Sequence, residues 1–548
     1  MGGGSGGHRR RGRKGSRMLT ATRPHGYEGP ASTLVAALCR SVRRAPDETA
    51  VVEGDVRLTY SELLNAASNF ASSLHRRGVR RGDVVMVQLP NWWEHLVTIW
   101  GTWIAGCAVL PVVPLYRERE LTFIIGQSRP AAVVVPREYR GCRHARMIGE
   151  IVQSDPGTLL VEVRGAGEDV TVGATSFQEM IKKDWRETGF ATVSAGADEV
   201  AAVLYTSGTT SSPKGVLHTH RTLLAETATI RRHCELTSTD SVFMPSPLSH
   251  ITGLAYGVIL PADIGCATVL MERWAPESAV NLIERERCTF TVSATPFLRG
   301  LNEVYSKRSV TRSSLTRFVC GGADIPPELV RAAHGTMGTD VLRTYGSTEL
   351  PTVVMADPRI SLVDRSRGDG RPIGHNEVRV DSSGELLVRG PELFVGYLDA
   401  RLNEEAFTED GYFRTGDLAE VDSNGEIRVT GRIKDIINRG GEKYSASEIE
   451  FALQEHPRIE DVAIVAYPDE ELGERACAFV VAREDPPSVA EIRRFLVGRG
   501  FAVQKAPERM IAIDVLPRNA SGKIQKFVLR DRIGRECSSG EGTGEESL

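Results

Sequence analysis

Apolar positions along the chain follow two alternating textures. From Leu63 they recur at helical spacing to about Arg77, behind Thr59-Tyr60-Ser61-Glu62, whose hydroxyl and carboxylate stand in the order of a capping box. Gly78 ends that pattern, and the short run Val84 to Gln88 predicts a buried strand. A helix from Trp92 to about Ala105 and a strand from Ala108 to Val113 follow by the same reasoning. The runs Ala131 to Val135, Ala201 to Tyr205 and Phe318 to Cys320 predict further short strands between helical stretches. Continuously apolar strands need cover on both faces, so the pattern predicts an α/β chain with packed, largely parallel sheets.

The texture changes near residue 431. Gly425 to Thr430 predicts a strand, Gly431-Arg432-Ile433-Lys434-Asp435 a charged turn, and Asn438-Arg439-Gly440-Gly441 a second turn. A helix from Ser447, strands at Val462 to Ala466 and Ala476 to Val481, and a helix from Ser488 predict a small α+β unit. The expected division is a disordered basic, Gly-rich tail over 1–29, a large domain over 30–430, a hinge at 431–435, a small domain over 436–535 and a disordered tail over 536–548. The first segment is basic like the start of a signal peptide, but no apolar core follows; export is not expected, and Met18 is an alternative start to Met1.

The uncharged run Leu96 to Leu115 is long enough to cross a bilayer. Gly101, Gly106, Pro111 and Pro114 interrupt it, so a helix followed by a buried strand is expected and no membrane span. At 548 residues the chain exceeds one ordinary domain, and a net charge of −4 offers no field to gather nucleic acid. Nine cysteines without a Cys-x-x-Cys pair suit a reduced, cytoplasmic setting. Cys142-Arg143-His144 and His218-Thr219-His220 lack further ligands at metal spacing, and local packing is expected of both.

Candidate chemistry begins at Tyr205-Thr206-Ser207-Gly208-Thr209-Thr210-Ser211-Ser212-Pro213-Lys214-Gly215, directly after a predicted strand. Its amides, hydroxyls and lysine make a cradle for phosphate oxygens. Gly208 stands six residues before Lys214 and Gly215 follows it, which is not the Walker A spacing and argues against a kinase or motor. Taken alone, the loop also reads as a Ser/Thr/Gly linker.

Four more segments follow in order: Tyr345-Gly346-Ser347-Thr348-Glu349, Tyr412-Phe413-Arg414-Thr415-Gly416-Asp417, Gly431 to Asp435, and Pro517-Arg518-Asn519-Ala520-Ser521-Gly522-Lys523. With the loop, they resemble the motifs of the adenylate-forming superfamily of acyl- and aryl-CoA synthetases, nonribosomal peptide adenylation domains and luciferases. The resemblance spans about residues 30–535. It implies a large N-terminal domain of packed sheets with helices and a small, mobile C-terminal domain. It implies a carboxylic acid activated by ATP to an acyl-adenylate, then transferred to a thiol, with ATP and CoA as co-substrates and Mg²⁺ as the metal.

The resemblance also implies roles. Thr206, Ser207, Gly208, Thr209, Thr210 and Lys214 suit the β- and γ-phosphates, Thr348 the α-phosphate, and Glu349 the Mg²⁺. Asp417 would hold the ribose hydroxyls. Tyr345 would stack on adenine, with Gly346 and Arg432 in the same nucleotide set and Gly321, Gly322 and Ala323 leaving room for the ring. Lys523 would bridge carboxylate and phosphate oxygens. Lys434 corresponds to the hinge, and Gly440 and Gly441 would leave space for the pantetheine arm. Without the resemblance, Asp417 reads as a turn cap and Lys523 as a solvated lysine. Ser211 and Asn519 depart from the usual Gly and Thr, which is expected to tune loop mobility.

Pro247 to Gly253, with Ser293 to Phe297, corresponds to the acyl-pocket region. His250 would line its carboxylate end, packing against the sheet being its alternative role. No acidic residue lies between Pro245 and Pro261, which favours an uncharged alkyl, alicyclic or aromatic acid. The stretches Asn91 to Glu94, Pro114 to Leu121 and Lys505 to Lys526 are similar to short- and medium-chain acyl-CoA synthetases and cyclohexanecarboxylate-CoA ligases. Asn438 to Lys443 also resembles aryl-acid adenylating enzymes. Two alternatives stand beside a CoA ligase: an enzyme that loads the phosphopantetheine of a carrier protein, and a non-catalytic nucleotide-binding relative.

Overall fold

The computed structural model describes residues 32–153, 157–165, 171–182, 184, 186, 195–206, 213–308, 312–322, 325–440, 442–518 and 523–538. The tail expected over 1–29 lies outside them. Among the described residues, two large sheets dominate the first four hundred positions. One, of eight strands, is parallel through Val84–Val87, Ala108–Pro111, Ala132–Pro136 and Leu159–Val163, and carries the antiparallel hairpin Val200–Thr206 and Lys214–Thr219. The other, of nine, has Ser241–Met244, Ala267–Leu270, Phe290–Ser293, Arg317–Cys320 and Asp340–Tyr345 in parallel. A four-stranded antiparallel sheet and a C-terminal sheet built on the long hairpin Ile459–Asp469 and Gly473–Ala482 complete the fold.

The helix Tyr60–Arg76 opens on the expected capping box: Thr59 Oγ1 accepts from the Glu62 amide at 3.2 Å, and Glu62 Oε2 from the Thr59 amide at 2.8 Å. It packs closely on the helix Trp93–Ile104. A Cβ at Gly101 would stand 2.8 Å from the Ala67 carbonyl oxygen, so the two helices meet at this distance only because position 101 has no side chain. Trp100 and Trp103 of the second helix are wholly buried. The uncharged run from Leu96 is therefore protein core, and among the described residues no helix is long and apolar enough to cross a membrane.

Asn91 ties the two large sheets together. Its side-chain amide donates to the carbonyls of Ser246 (2.9 Å) and Met271 (3.1 Å), and its Oδ1 accepts from the Leu248 amide at 2.9 Å. The segment leading to His250 is thereby held against the end of Val84–Val87.

Three local expectations shift. The strand expected over Gly425 to Thr430 runs Ile427–Arg432: Gly425, at φ +77°, makes the turn, and Arg432 stays extended opposite Asp417. Asn438 and Arg439 belong to the strand Ile436–Arg439, paired with Glu442–Ser445, and the turn falls at Gly440 with φ +59°. The final helix Lys526–Ser538 passes the boundary expected at 535. Buried Leu529 and Ile533 anchor it, and Arg532 pairs with Glu536 one turn on, so residues 536–538 are helical, not part of a disordered tail.

Candidate active site

The strand Asp340–Tyr345 ends in a tight turn. A Cβ at Gly346 would lie 1.8 Å from the Pro351 carbonyl oxygen, so the turn closes only on glycine. Ser347 Oγ accepts from the amides of Glu349 (3.2 Å) and Leu350 (3.3 Å), and its own amide reaches the Leu350 carbonyl at 2.9 Å. Thr348 and Glu349 are thus presented from the carboxyl end of a parallel strand, where open α/β sheets place ligands.

Glu349 is fixed at both ends. Its carbonyl accepts from the Phe394 amide at 2.8 Å, and its carboxylate from the Tyr397 hydroxyl at 2.9 Å. Burial and the Glu349 charge raise the Tyr397 phenol above its ordinary range, which keeps that hydroxyl a donor. The Lys214 ammonium sits 5.0 Å from the centre of the Tyr397 ring, within cation–π range. Thr206 and Lys214 are direct partners across the hairpin, so the two residues are held side by side. Ser207, Gly208, Thr209 and Thr210 lie outside the described residues, as do Ala323 and Gly441.

Asp417 is buried at 5 % exposure. Its Oδ1 takes the Arg432 Nε at 2.9 Å and its Oδ2 the Tyr345 hydroxyl at 2.5 Å, which leaves each oxygen further acceptor capacity. Burial, then Asp417, lift the Tyr345 phenol well above its usual range, so it remains protonated. Tyr345 is an anchored ring with its hydroxyl engaged.

Lys523 reaches this group from the far end of the chain. A Cβ on Gly322 would stand 3.6 Å from Lys523 Cε, and Gly322 has φ +82°, so the lysine packs over a bare turn. At neighbouring Gly321 a Cβ would lie 2.8 Å from the Thr344 carbonyl oxygen. Burial and the Arg432 charge lower the Lys523 pKa, while Asp417 and Glu349 pull it back up. Motifs at 345–349, 417–432 and 523 therefore share one electrostatic environment.

His250 lies beside them. Burial, aided by Lys523, lowers its imidazole to about 4, so it is neutral near pH 7. Its Nε2 is buried and makes no hydrogen bond with a described residue. Lys434 and Gly440 stand apart on exposed turns. Lys434 lies in the short 3₁₀ turn Ile433–Asp435, where its carbonyl accepts from Arg530 at 3.3 Å and Asp435 pairs with Arg530 and Lys526. The Gly440 amide donates to the Leu472 carbonyl at 2.7 Å.

Two residues of this site escape motif reading. Tyr397 enters on the two-residue strand Gly396–Tyr397 beside Lys214–Thr219, a pairing no local pattern announces. His218, fully buried and lowered to about 4 by that burial, bonds the Thr348 carbonyl through Nε2 at 2.7 Å. Packing is the expectation for His218, and it packs against the turn that carries Thr348. Its signal is its place four residues after Lys214 on the same strand. His144 is likewise a packed histidine, its Nδ1 3.3 Å from Gln88 Oε1.

Residues 38–398 match the AMP-binding enzyme family, and residues 448–523 match the AMP-binding enzyme C-terminal domain. The chain belongs to the AMP-binding enzyme family. This AMP-binding enzyme is 36% identical over 535 residues to the medium-chain fatty-acid–CoA ligase of Escherichia coli (strain K12), covering 94% of this chain and 93% of that one. It is 34% identical to the 2-hydroxy-7-methoxy-5-methyl-1-naphthoate–CoA ligase of Streptomyces carzinostaticus, over 91% and 92% of the two chains. ATP-bound MatB from Rhodopseudomonas palustris shares its fold with a TM-score of 0.79 at 26% identity, over 92% of this chain and 99% of that one.

Proposed function

We propose that this AMP-binding enzyme is an ATP-dependent carboxylic acid–CoA ligase for an uncharged alkyl, alicyclic or aromatic acid. A carboxylate oxygen attacks the α-phosphorus of ATP and pyrophosphate leaves, giving the acyl-adenylate. The thiolate of CoA then attacks the acyl carbon, and AMP leaves. The observation that carries the reading is the convergence of Lys523 on Gly322, Asp417 and Glu349 from the opposite end of the chain. A cation held there in a low-dielectric setting stabilises charge shared between carboxylate and phosphate at the moment of attack.

The other residues follow from their geometry. Lys214 meets the β- and γ-phosphates together with Thr206 and the loop, and Thr348 bonds the α-phosphate. Asp417 receives the ribose hydroxyls, with Arg432 and Tyr345 fixing its two oxygens. His250 offers its unpaired Nε2 to the acid end of the pocket. The Glu349 carboxylate, pinned by Tyr397, suits Mg²⁺, a hard cation that takes one or two protein carboxylates and completes its shell with phosphate and water. Bound there, Mg²⁺ would offset phosphate charge.

The exposed turn at Lys434 serves as the hinge between the large domain, which ends with the strand Ile427–Arg432, and the small domain, which ends with the helix Lys526–Ser538. Rotation about it withdraws Lys523 and brings the Gly440-Gly441 turn to the pantetheine arm. ATP and free CoA as co-substrates suit the cytoplasm. The test is mass spectrometry of products from purified protein, ATP, Mg²⁺, CoA and a panel of alkyl, alicyclic and aromatic acids. Acyl-CoA with AMP is the expected outcome. Acyl-AMP alone would transfer the second step to a carrier-protein thiol, and no product with any acid would defeat the reading.

A further inference from the structure

The helix His220–His233 carries Thr222, Glu226 and Thr229, all buried, at spacings that place them in one row. Each leads, through one or two further residues, to the segment that presents Thr348 and Glu349. Thr222 Oγ1 lies 3.0 Å from His218 Nδ1, whose other nitrogen bonds the Thr348 carbonyl. Glu226 Oε1 accepts from the Tyr256 hydroxyl at 2.6 Å, and that hydroxyl is 2.6 Å from Thr352 Oγ1, three residues past Glu349. Thr229 Oγ1 donates to Glu392 Oε1 at 2.6 Å, two residues before the Phe394 amide that binds the Glu349 carbonyl. Asn376 completes the enclosure by donating to the Thr352 carbonyl at 2.8 Å.

Glu226 and Glu392 are both wholly buried, and the Oε2 of each has no hydrogen-bond partner among the described residues. An enclosed carboxylate with an orphan oxygen is strongly disfavoured against its neutral acid. We propose that Glu226, held as a neutral acid, is a positioning residue for adenylation, setting the Thr348–Glu349 turn from behind through Tyr256 and Thr352. The inference rests on the reading that Thr348 and Glu349 serve adenylation.

The groups facing Glu226 are Glu392 from the loop before Phe394 and Tyr256 from the helical turn Leu254–Ile259. Cys234 stands near Tyr256, and Arg232 near Glu392, both from the end of the His220–His233 helix. Burial first, and Glu392 second, raise Glu226 to about 8, with the Tyr256 and Thr352 hydrogen bonds opposing. Glu392 is raised by its own burial, against the Arg232 charge. Above that pH an ionised Glu226 faces Glu392 in a closed space, and the Thr352 anchor loosens.

The test is ATP–pyrophosphate exchange across pH for the wild type, Glu226→Gln and Glu226→Leu, with the thermal midpoint of each. The wild type should lose exchange above about pH 8. Glu226→Gln, permanently neutral and still an acceptor, should remain within about threefold at pH 7 and lack that alkaline fall. Glu226→Leu should lower kcat by about tenfold, a loss of one charge-capable hydrogen bond, with the KM for the acid unmoved. An alkaline fall in Glu226→Gln matching the wild type overturns the proposal, and so does a folded Glu226→Leu with full kcat. Where Glu226→Leu fails to fold, the Glu226→Gln profile decides. No exchange by the wild type with any acid would overturn the ligase reading and this inference with it, whereas with an active wild type the two variants bear on Glu226 alone.

Discussion

Arg432 and Asp417 stand directly opposite each other on paired antiparallel strands, and the Arg432 Nε meets Asp417 Oδ1 at 2.9 Å. The pair is asymmetric: the aspartate side chain is 7% exposed and the arginine 46%. Most of its worth lies in leaving no buried carboxylate unpaired, and the solvent-facing guanidinium contributes little beyond that. Arg432 is also the last strand residue before the 3₁₀ turn at Lys434, so the carboxylate proposed for ribose is paired to a residue at the start of the proposed hinge.

Replacing Asp417 with Ala should raise the KM for ATP by about tenfold to a hundredfold, the range for losing hydrogen bonds to a charged group. The KM for the acid should change little. Steady-state kinetics with each substrate varied in turn checks it, and an unchanged ATP KM would return Asp417 to a structural role.

Lys523→Ala should cut ATP–pyrophosphate exchange by about a hundredfold or more, as loss of a transition-state charge partner does. Thioester formation from chemically supplied acyl-AMP should persist, because in the proposed mechanism Lys523 is withdrawn before the thiol attacks. Equal loss in both half-reactions would contradict this division of labour.

Lys434→Pro should leave exchange largely intact and slow acyl-CoA formation. Proline fixes φ in a turn that must change its backbone angles if the small domain is to rotate. The bonds from Arg530 to the Lys434 carbonyl and to Asp435 lie outside the changed side chain and should hold the starting arrangement. Single-turnover measurement of each step tells the two rates apart.

The enzyme should lose thermal stability as pH falls from about 6.5 towards 4. Burial lowers His95, His144, His218 and His220 each to about 4. In that window the unfolded chain binds protons that the folded one refuses, so stability is full above the unfolded pKa and declines below it, by about 1.4 kcal/mol per pH unit for each such histidine. Thermal midpoints across pH 4–8 test this. A flat profile below pH 6.5 would mean that these imidazoles titrate freely. His218→Asn should flatten part of the slope and, by releasing the Thr348 carbonyl, slow exchange.

Legibility varies with the range of the interactions concerned. The capping box at Thr59 and Glu62 is plain in the sequence because its partners are three residues apart. The boundaries at Arg432 and Arg439 move because pairing with Asp417 and Glu442 extends strands through residues whose local chemistry suits turns. Cys142-Arg143-His144 and His218-Thr219-His220 lack further ligands at metal spacing, and their histidines are buried in the packing. Tyr397 and Glu226 are silent, since a tyrosine on a two-residue strand and a glutamate within a helix carry no spacing signal.

The order and residue types of the motifs are present in the linear chain: a hydroxyl-rich loop ending in Lys214, a carboxylate at 349, another at 417 and a lysine at 523. The loop's residue types suit anion binding, because charge and hydrogen-bonding capacity belong to the side chains themselves. A reaction between two negatively charged partners is implied by the resemblance of the five segments to the adenylate-forming superfamily, not by the residue types alone. Packing of the sheets and the C-terminal unit settles which atoms meet. Tyr345 closes on Asp417, Tyr397 on Glu349, and Lys523 on the bare turn at Gly322. The neutrality of His218 and His250 arises there too, since a pKa shift depends on what surrounds a group in space.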